Sequence, residues 1–385
     1  GLALLLLVAQ RDLGTASIFS FLYAVMVYIA SGRKRFLLLM GLALALASLL
    51  GYSLFDVVRL RVDAWLNPWN DPSGRSYQIV QSLLAVATGG AGGTGIGMGN
   101  PGIVPVVSSD FIFAAISEES GVVGGLAVVM LFGILTGRGL LGALRAPNLY
   151  QRMLSAGLVV FLVFQGILII GGNLRVFPLT GVTLPFVSYG GSSLLTSFIS
   201  LALLVRISAQ SEEEPAPLPK LQPILLTGAG LLSGLMVIAL TAGYWALIRS
   251  EALLQRTDNP RWSIVERYVQ RGTILDRNNQ VIVQTSGQPG SYTRQIMHTA
   301  LGPVIGYTHP IYGKAGLESS LDSYLRGALG NPSSAIVSAN LLYAQTPPGV
   351  DVRLSLDLRM QTKADTLLQG KSGALVLINS FSGEI

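Results

Sequence analysis

Through the first 250 residues, long stretches without a charged side chain alternate with short charged connectors. Charge-free runs lie between Asp12 and Arg33, Arg35 and Asp56, Glu119 and Arg138, Arg152 and Arg175, Arg175 and Arg206, and Lys220 and Arg249. An ionised group at mid-bilayer costs about 2.5–3.5 kcal/mol on insertion scales, so spans exclude it. Each run has roughly 18–30 residues, enough to cross the hydrocarbon layer as a helix. The run from 175 to 206 begins rich in Pro and Gly, so only about 192–206 is predicted helical there. Residues 1–9 read as the tail of an earlier span.

The placement of Arg and Lys orients these spans. Arg33, Lys34 and Arg35, then Arg138, Arg145 and Arg152, occupy short connectors that the positive-inside rule assigns to the cytoplasm. Alternation then puts 56–118 and 173–191 outside as loops. It puts Arg206 to Lys220 inside, as a Pro-rich, semi-extended linker. The span 223–248 leaves the cytoplasm, and everything from Arg249 onward is expected outside. Beyond Arg249 the charge density becomes ordinary and β-branched runs such as Gln280-Val-Ile-Val283 appear. The fold class expected is a polytopic α-helical membrane bundle plus an extracytoplasmic α+β domain.

Composition agrees. Half of the residues are hydrophobic and 12% are charged, against about 25% charged in soluble domains. The net charge of +6 belongs with cytoplasmic connectors and does not call for nucleic acid. The absence of cysteine excludes disulfides, thiolate metal sites and a cysteine nucleophile. Two histidines, His298 and His309, are too few for a histidine-based metal site. Gly1 stands inside an apolar run, and a strand-like run from Gly373 to Asn379 stands close to Ile385, so both ends read as cut.

The outer loops carry the chemistry. The first contains Arg59, Arg61 and Arg75, the run Gly89-Gly-Ala-Gly-Gly-Thr-Gly-Ile-Gly-Met-Gly-Asn100, then Asp110-Phe-Ile-Phe113 and Glu118-Glu119. A glycine run can cradle phosphate through its N–H groups; it is also the composition of a flexible loop. No strand precedes it, so a dinucleotide site is not indicated. Asp110, taken by position alone, reads most simply as an N-cap for the following helix. The second loop holds Asn173, Arg175 and Pro185-Phe-Val-Ser-Tyr-Gly-Gly-Ser-Ser193. Its small residues form either a tight re-entrant turn or a set of N–H and hydroxyl donors at a helix start.

Taken in order, these pieces resemble the SEDS family of cell-wall polymerases, the RodA and FtsW type. Gln10-Arg-Asp-Leu-Gly-Thr15, Leu66-Asn-Pro68, Tyr77-Gln78 and Gln81-Ser82 complete the match across about 1–208. The resemblance implies a peptidoglycan glycosyltransferase that polymerises lipid II at the outer face of the bacterial cytoplasmic membrane, with undecaprenyl pyrophosphate leaving. Such chemistry needs a carboxylate base and cationic or N–H groups for the pyrophosphate. Asp110 matches the family's essential acidic residue. Arg59, Arg61, Arg75 and Arg175 are candidates for the pyrophosphate. Asn173, Ser188, Tyr189, Gly190, Gly191 and Ser192 are candidates for substrate contact. Asp12, Glu118 and Glu119 are structural or cation-binding candidates, and Mg or Mn is the one cofactor the resemblance raises. The chain departs from the pattern at Arg11, where the family has Pro, and at Val106-Val-Ser-Ser109, where the family has His-Thr and an upstream Pro-Glu. The family's first half is expected to be missing.

The remainder resembles the start of a class B penicillin-binding protein. The matching pieces are Arg271-Gly-Thr-Ile-Leu-Asp-Arg277 with Asn278, Ile305-Gly-Tyr307, Gly316-Leu-Glu318, Tyr324-Leu-Arg-Gly327 and Leu354-Ser-Leu-Asp357. This divides the chain into a polymerase half (1–208), a linker (209–222), an anchor span (223–248), a pedestal (249–350) and the first part of a transpeptidase domain (351–385). The acylating serine is expected beyond Ile385. Ser31-Gly-Arg-Lys34, Ser338-Ala-Asn340 and Lys371-Ser-Gly373 are too scattered across the membrane and the sequence to form its site. The partners implied are lipid II, membrane lipids, other elongation or division proteins and an intramolecular contact between the two halves. A transporter of lipid-linked sugar and a non-catalytic scaffold are the competing readings.

Overall fold

The computed structural model describes residues 13–209, 221–254, 256, 259, 261, 266–298, 301–309, 313–342 and 347–383. Asp12 and most of the linker, residues 210–220, lie outside them. The chain divides into two compact units, Gly1–Leu254 and Gln255–Ile385.

The first unit is built from α1 (Leu13–Ser31), α2 (Arg35–Leu54), α3 (Asp56–Leu66), α4 (Tyr77–Gly89), α5 (Ile112–Leu144), α6 (Leu149–Asn173), α7 (Gly191–Ala209) and α8 (Gln222–Gly243). α8 runs on through Tyr244–Ile248 in a π-type turn. Six of these helices are long and apolar enough to cross a membrane: α1, α2, α5, α6, α7 and α8. They correspond to the six charge-free runs, but α5 extends over Glu118, Glu119 and Arg138 and α6 takes in a buried Arg152, so Arg138 and Arg152 lie in helices and not in connectors. α1 stops where Gly32 takes φ +67° and returns its N–H to the Tyr28 carbonyl, a conformation glycine adopts without a Cβ penalty. α6 starts at Asn148, whose side chain accepts the Gln151 N–H at 2.8 Å, satisfying one of the helix's orphan donors.

Two features of the segment 56–118 differ from an outer loop. First, residues 79–87 of α4 are buried without exception. They lie in the core with α5 and α6. The helix has 13 residues, too few to span a bilayer, so no hydropathy window marks it. Second, the glycine run is a backbone lock. α5 breaks at Gly121 (φ +65°), and the run crosses the break. Thr94 N–H bonds the Glu118 carbonyl, Gly95 N–H the Glu119 carbonyl, and Val122 N–H the Gly90 carbonyl, each at 3.0 Å. The carbonyls freed by the kink thereby regain partners. A Cβ on Gly93 would stand 2.1 Å from the Glu119 oxygen, so only glycine fits this approach.

The loop between α6 and α7 folds back against the bundle. Gln165, an amide in an otherwise apolar stretch of α6, donates from Nε2 to the Thr183 carbonyl at 2.7 Å. Thr183 Oγ1 in turn meets Ser193 Oγ at 2.6 Å.

The second unit holds a four-stranded sheet in the order β3 (Thr293–Ile296), β2 (Val281–Ser286), β1 (Ile274–Leu275), β6 (Val352–Arg353), and a two-stranded ladder of β4 (Thr308–His309) with β5 (Gly313–Lys314). β6 runs parallel to β1 and the other pairs are antiparallel. The domain boundary read at 350/351 therefore falls beside a strand of the same sheet. Ile274, Ile282, Val283, Leu301, Ile305, Leu325 and Leu358 form the core. The Arg271–Asn278 motif holds this unit together. Asp276 accepts N–H groups from Asn278, Gln280 and Leu358. Arg271 is buried and bonds Glu266 (2.7 Å), Glu318 (2.8 Å) and Asp322 (2.7 Å). Arg294 reaches the other Glu318 oxygen at 2.7 Å, and Lys314 reaches Asp322 at 2.6 Å. The strand-like run from 373 to 379 is exposed and forms no strand, having no ladder partner among the described residues.

Candidate active site

Asp110 sits at the end of an irregular segment just before α5. The helix is capped by the backbone of Phe111, with no side-chain cap. The carboxylate is therefore not spent as an N-cap. One of its oxygens, Oδ1, accepts from Ser109 Oγ at 2.9 Å. The other, Oδ2, faces Gly181, whose φ is +71°.

Across Gly181 stands Arg61. The point where a Gly181 Cβ would sit is 3.8 Å from Asp110 Oδ2 and 3.9 Å from Arg61 Nη2. A carboxylate and a guanidinium thus flank one small gap that a larger side chain would fill. Arg61 comes from α3 and is steadied by the Leu179 and Thr180 carbonyls at 3.3 and 3.5 Å. The gap belongs to a cleft of about 130 Å³ lined by Arg61, Arg75, Gln78, Asp110, Phe111 and Leu179, among others. Its floor is apolar and its rim carries one acid and two bases.

The remaining residues singled out by sequence lie elsewhere. Arg59 turns back on its own helix junction, 3.9 Å from Asp56 and over the Tyr52 ring. Arg175 takes φ +62° and donates from Nε to the Trp65 carbonyl at 2.8 Å. It lines a second cavity, of about 350 Å³, with Trp65, Tyr244 and Trp245. Asn173 and Ser188 are buried, at 0% and 1% exposure, and bond the backbone around Asp110. Tyr189 is exposed, Gly190 precedes α7 and Gly191 and Ser192 begin it; none of these lines the cleft. Glu118 is buried, and its Oε1 accepts the Asn100 N–H at 3.0 Å; with Glu119 it serves the glycine lock. Gln78, Ser109 and Gly181 were not singled out as site residues. Gln78 left a signal in its Tyr-Gln pair, whereas Gly181 is one small residue in a loop of many.

A single carboxylate flanked by arginines is not a donor set for Mg or Mn, and among the described residues no three His, Cys, Asp or Glu side chains converge. No step is assigned to a metal.

A bundle of apolar helices with a carboxylate and two arginines in one cleft defines a multi-pass membrane protein with a polar site. The chain belongs to the FtsW/RodA/SpoVE family of cell cycle proteins, whose model matches residues 1–213. It is 47% identical over 203 residues to the peptidoglycan glycosyltransferase RodA of Mycobacterium tuberculosis (strain ATCC 25618 / H37Rv), covering 52% of this chain and 43% of that protein. It is 38% identical over 212 residues to stage V sporulation protein E of Bacillus subtilis (strain 168), covering 54% and 58%. A solved chain, described in work on polymerization and crosslinking by a peptidoglycan synthase complex, is also similar. It shares 34% identity and a TM-score of 0.45, covering 55% of this chain and 60% of that one. The chain spans about half the length of the curated relatives it matches.

Proposed function

We propose that this chain is part of a peptidoglycan glycosyltransferase that polymerises lipid II, with Asp110 as general base. An acceptor sugar hydroxyl attacks the anomeric carbon of the lipid-linked donor. A C–O bond forms there, the bond to pyrophosphate breaks, and the hydroxyl proton passes to Asp110. Arg61 and Arg75 face the charge that develops on the departing pyrophosphate. The observation that carries this reading is the Asp110 carboxylate: it is free of any capping role and faces Arg61 across Gly181. The names of the relatives support the same chemistry. Glu118 and Glu119 act structurally.

The second unit extends the proposal. Its ordered motifs support a class B penicillin-binding protein module on the outer side of the cytoplasmic membrane. Joining the two modules in one chain raises their effective concentration to roughly millimolar without a new contact. Lipid II and other elongation or division proteins are the partners proposed.

The test is lipid II polymerisation by the full-length protein with penicillin present. Glycan chains from the wild type and none from a folded Asp110→Asn variant are expected. Equal activity in the two removes Asp110 from the reaction. No activity in either shifts the reading to a transporter or a scaffold.

A further inference from the structure

Three consecutive carbonyls lead up to the Asp110 carboxylate, and each accepts a bond from a distant segment. The Ser108 carbonyl takes the Tyr189 N–H at 2.8 Å. The Ser109 carbonyl takes Ser188 Oγ at 2.5 Å. The Asp110 carbonyl takes Asn173 Nδ2 at 2.8 Å. This stretch lies outside any helix or strand, and Val106 within it has φ +56°. Its carbonyls have no ladder of their own, so these three donors set where the segment lies.

The two side-chain donors are themselves fixed. Ser188 Oγ accepts the Leu184 N–H at 2.8 Å while it donates to Ser109. Asn173 Nδ2 also bonds the Ile169 carbonyl at 2.9 Å, and its Oδ1 accepts the Ala114 N–H at 3.3 Å. The Asn173 carbonyl is held by Ser82 Oγ at 2.9 Å. With their bonding capacity engaged and almost no exposed surface, neither side chain has a free group to offer a substrate. Both act on the peptide that carries the carboxylate.

We propose that Ser188 and Asn173 are positioning residues for Asp110, aiming Oδ2 into the gap beside Gly181; this rests on the reading of Asp110 as the base. A catalytic group displaced by about 1 Å can cost roughly 10²-fold in rate. The test is lipid II polymerisation by the full-length protein, with kcat and KM measured separately and thermal midpoints recorded. Ser188→Ala and Asn173→Ala are expected to lose roughly 10²-fold in kcat with KM within about twofold. Ser188→Thr, which keeps the hydroxyl, is expected to recover most of the rate.

Wild-type kcat in both alanine variants overturns the proposal. So does a raised KM at unchanged kcat, which would mean direct substrate contact. Loss of folded protein in both, or no recovery with threonine, overturns it in favour of a purely structural role. Asp110→Asn, assayed alongside, separates the two readings. If it is inactive while the alanine variants are normal, only the positioning role falls; if it is active, the base assignment falls first.

Discussion

Arg175 and Trp65 hold each other by the backbone. Arg175 Nε donates to the Trp65 carbonyl at 2.8 Å, and Trp65 Nε1 donates to the Arg175 carbonyl at 3.1 Å. The pair ties the end of α3 to the end of α6. Trp245 Nε1 adds a bond to the Leu174 carbonyl at 2.9 Å, so the last span of the unit closes on the same point. Since α3 also carries Arg61, the clamp helps to set the distance between Arg61 and Asp110.

Arg175→Lys keeps the charge but loses the planar fork. It is expected to destabilise the first unit by about 1.5–3 kcal/mol, the worth of a hydrogen bond to a charged group. Differential scanning fluorimetry in detergent measures this. An unchanged midpoint with a raised KM for lipid II would instead make Arg175 a substrate contact.

The two arginines of α3 should behave differently. Arg61 faces the cleft, whereas Arg59 lies against Tyr52 and Asp56. Arg61→Ala is expected to raise the KM for lipid II tenfold or more, as the loss of about 1.5–3 kcal/mol of charge-assisted bonding requires. Arg59→Ala is expected to stay within about twofold, because exposed ion pairs contribute little. Equal effects from the two would contradict the cleft assignment.

The limits of sequence reading are visible at these same residues. The six long helices were legible because charge is expelled from spans, and Gly32 and Asn148 mark their ends in the chain. α4 was not: its thirteen residues are too few to read as a span, and Gln78, Gln81, Ser82 and Thr88 break up its apolar pattern, although 79–87 are buried. The glycine run read first as a flexible loop and only second as a phosphate cradle. Only the break at Gly121, itself one glycine among several, shows that the run is paired with backbone. Asp110 stood out through motif order, and by position it read as a cap. Arg175 read as a free cation because its acceptors are carbonyls 110 residues away, and a carbonyl leaves no trace in side-chain identity. The bonds of Ser188 and Asn173 to Ser109 and Asp110 were hidden for the same reason.

Gly121 is expected to tolerate no side chain. Its φ is +65°, and a Cβ there would lie 2.4 Å from the Gly93 nitrogen. Gly121→Ala should strip folded protein from membranes, measured as the yield of monodisperse material in detergent. Gly97→Ala shares the positive φ but meets nothing within 4 Å, and so serves as the control for strain alone. Equal yields from the two would show that the close approach to Gly93 is unimportant.

The second unit should be acid-labile, and the sign follows from two carboxylates. Burial alone would raise the pKa of Asp322, but its bond and charge contact with Lys314, then those with Arg271, outweigh burial and hold it below the usual carboxylate range. Asp276 is likewise held low: burial opposes ionisation, and N–H bonds from Gln280, Leu358 and Asn278 overcome it. A carboxylate that binds its proton more weakly when folded adds stability above its unfolded value, about 3.9 for Asp. That stability is lost as pH falls through the depressed folded values. Hydrogen exchange of residues 266–298 in the intact protein is therefore expected to change little between pH 7 and 5 after correction for intrinsic rates, and to accelerate steeply below about pH 4. Glu318→Gln, which leaves Arg271 and Arg294 without their shared carboxylate, should cost about 3–5 kcal/mol at neutral pH and bring the same loss of protection there. Protection that persists unchanged to pH 2 would show that the buried ion network does not hold the unit together.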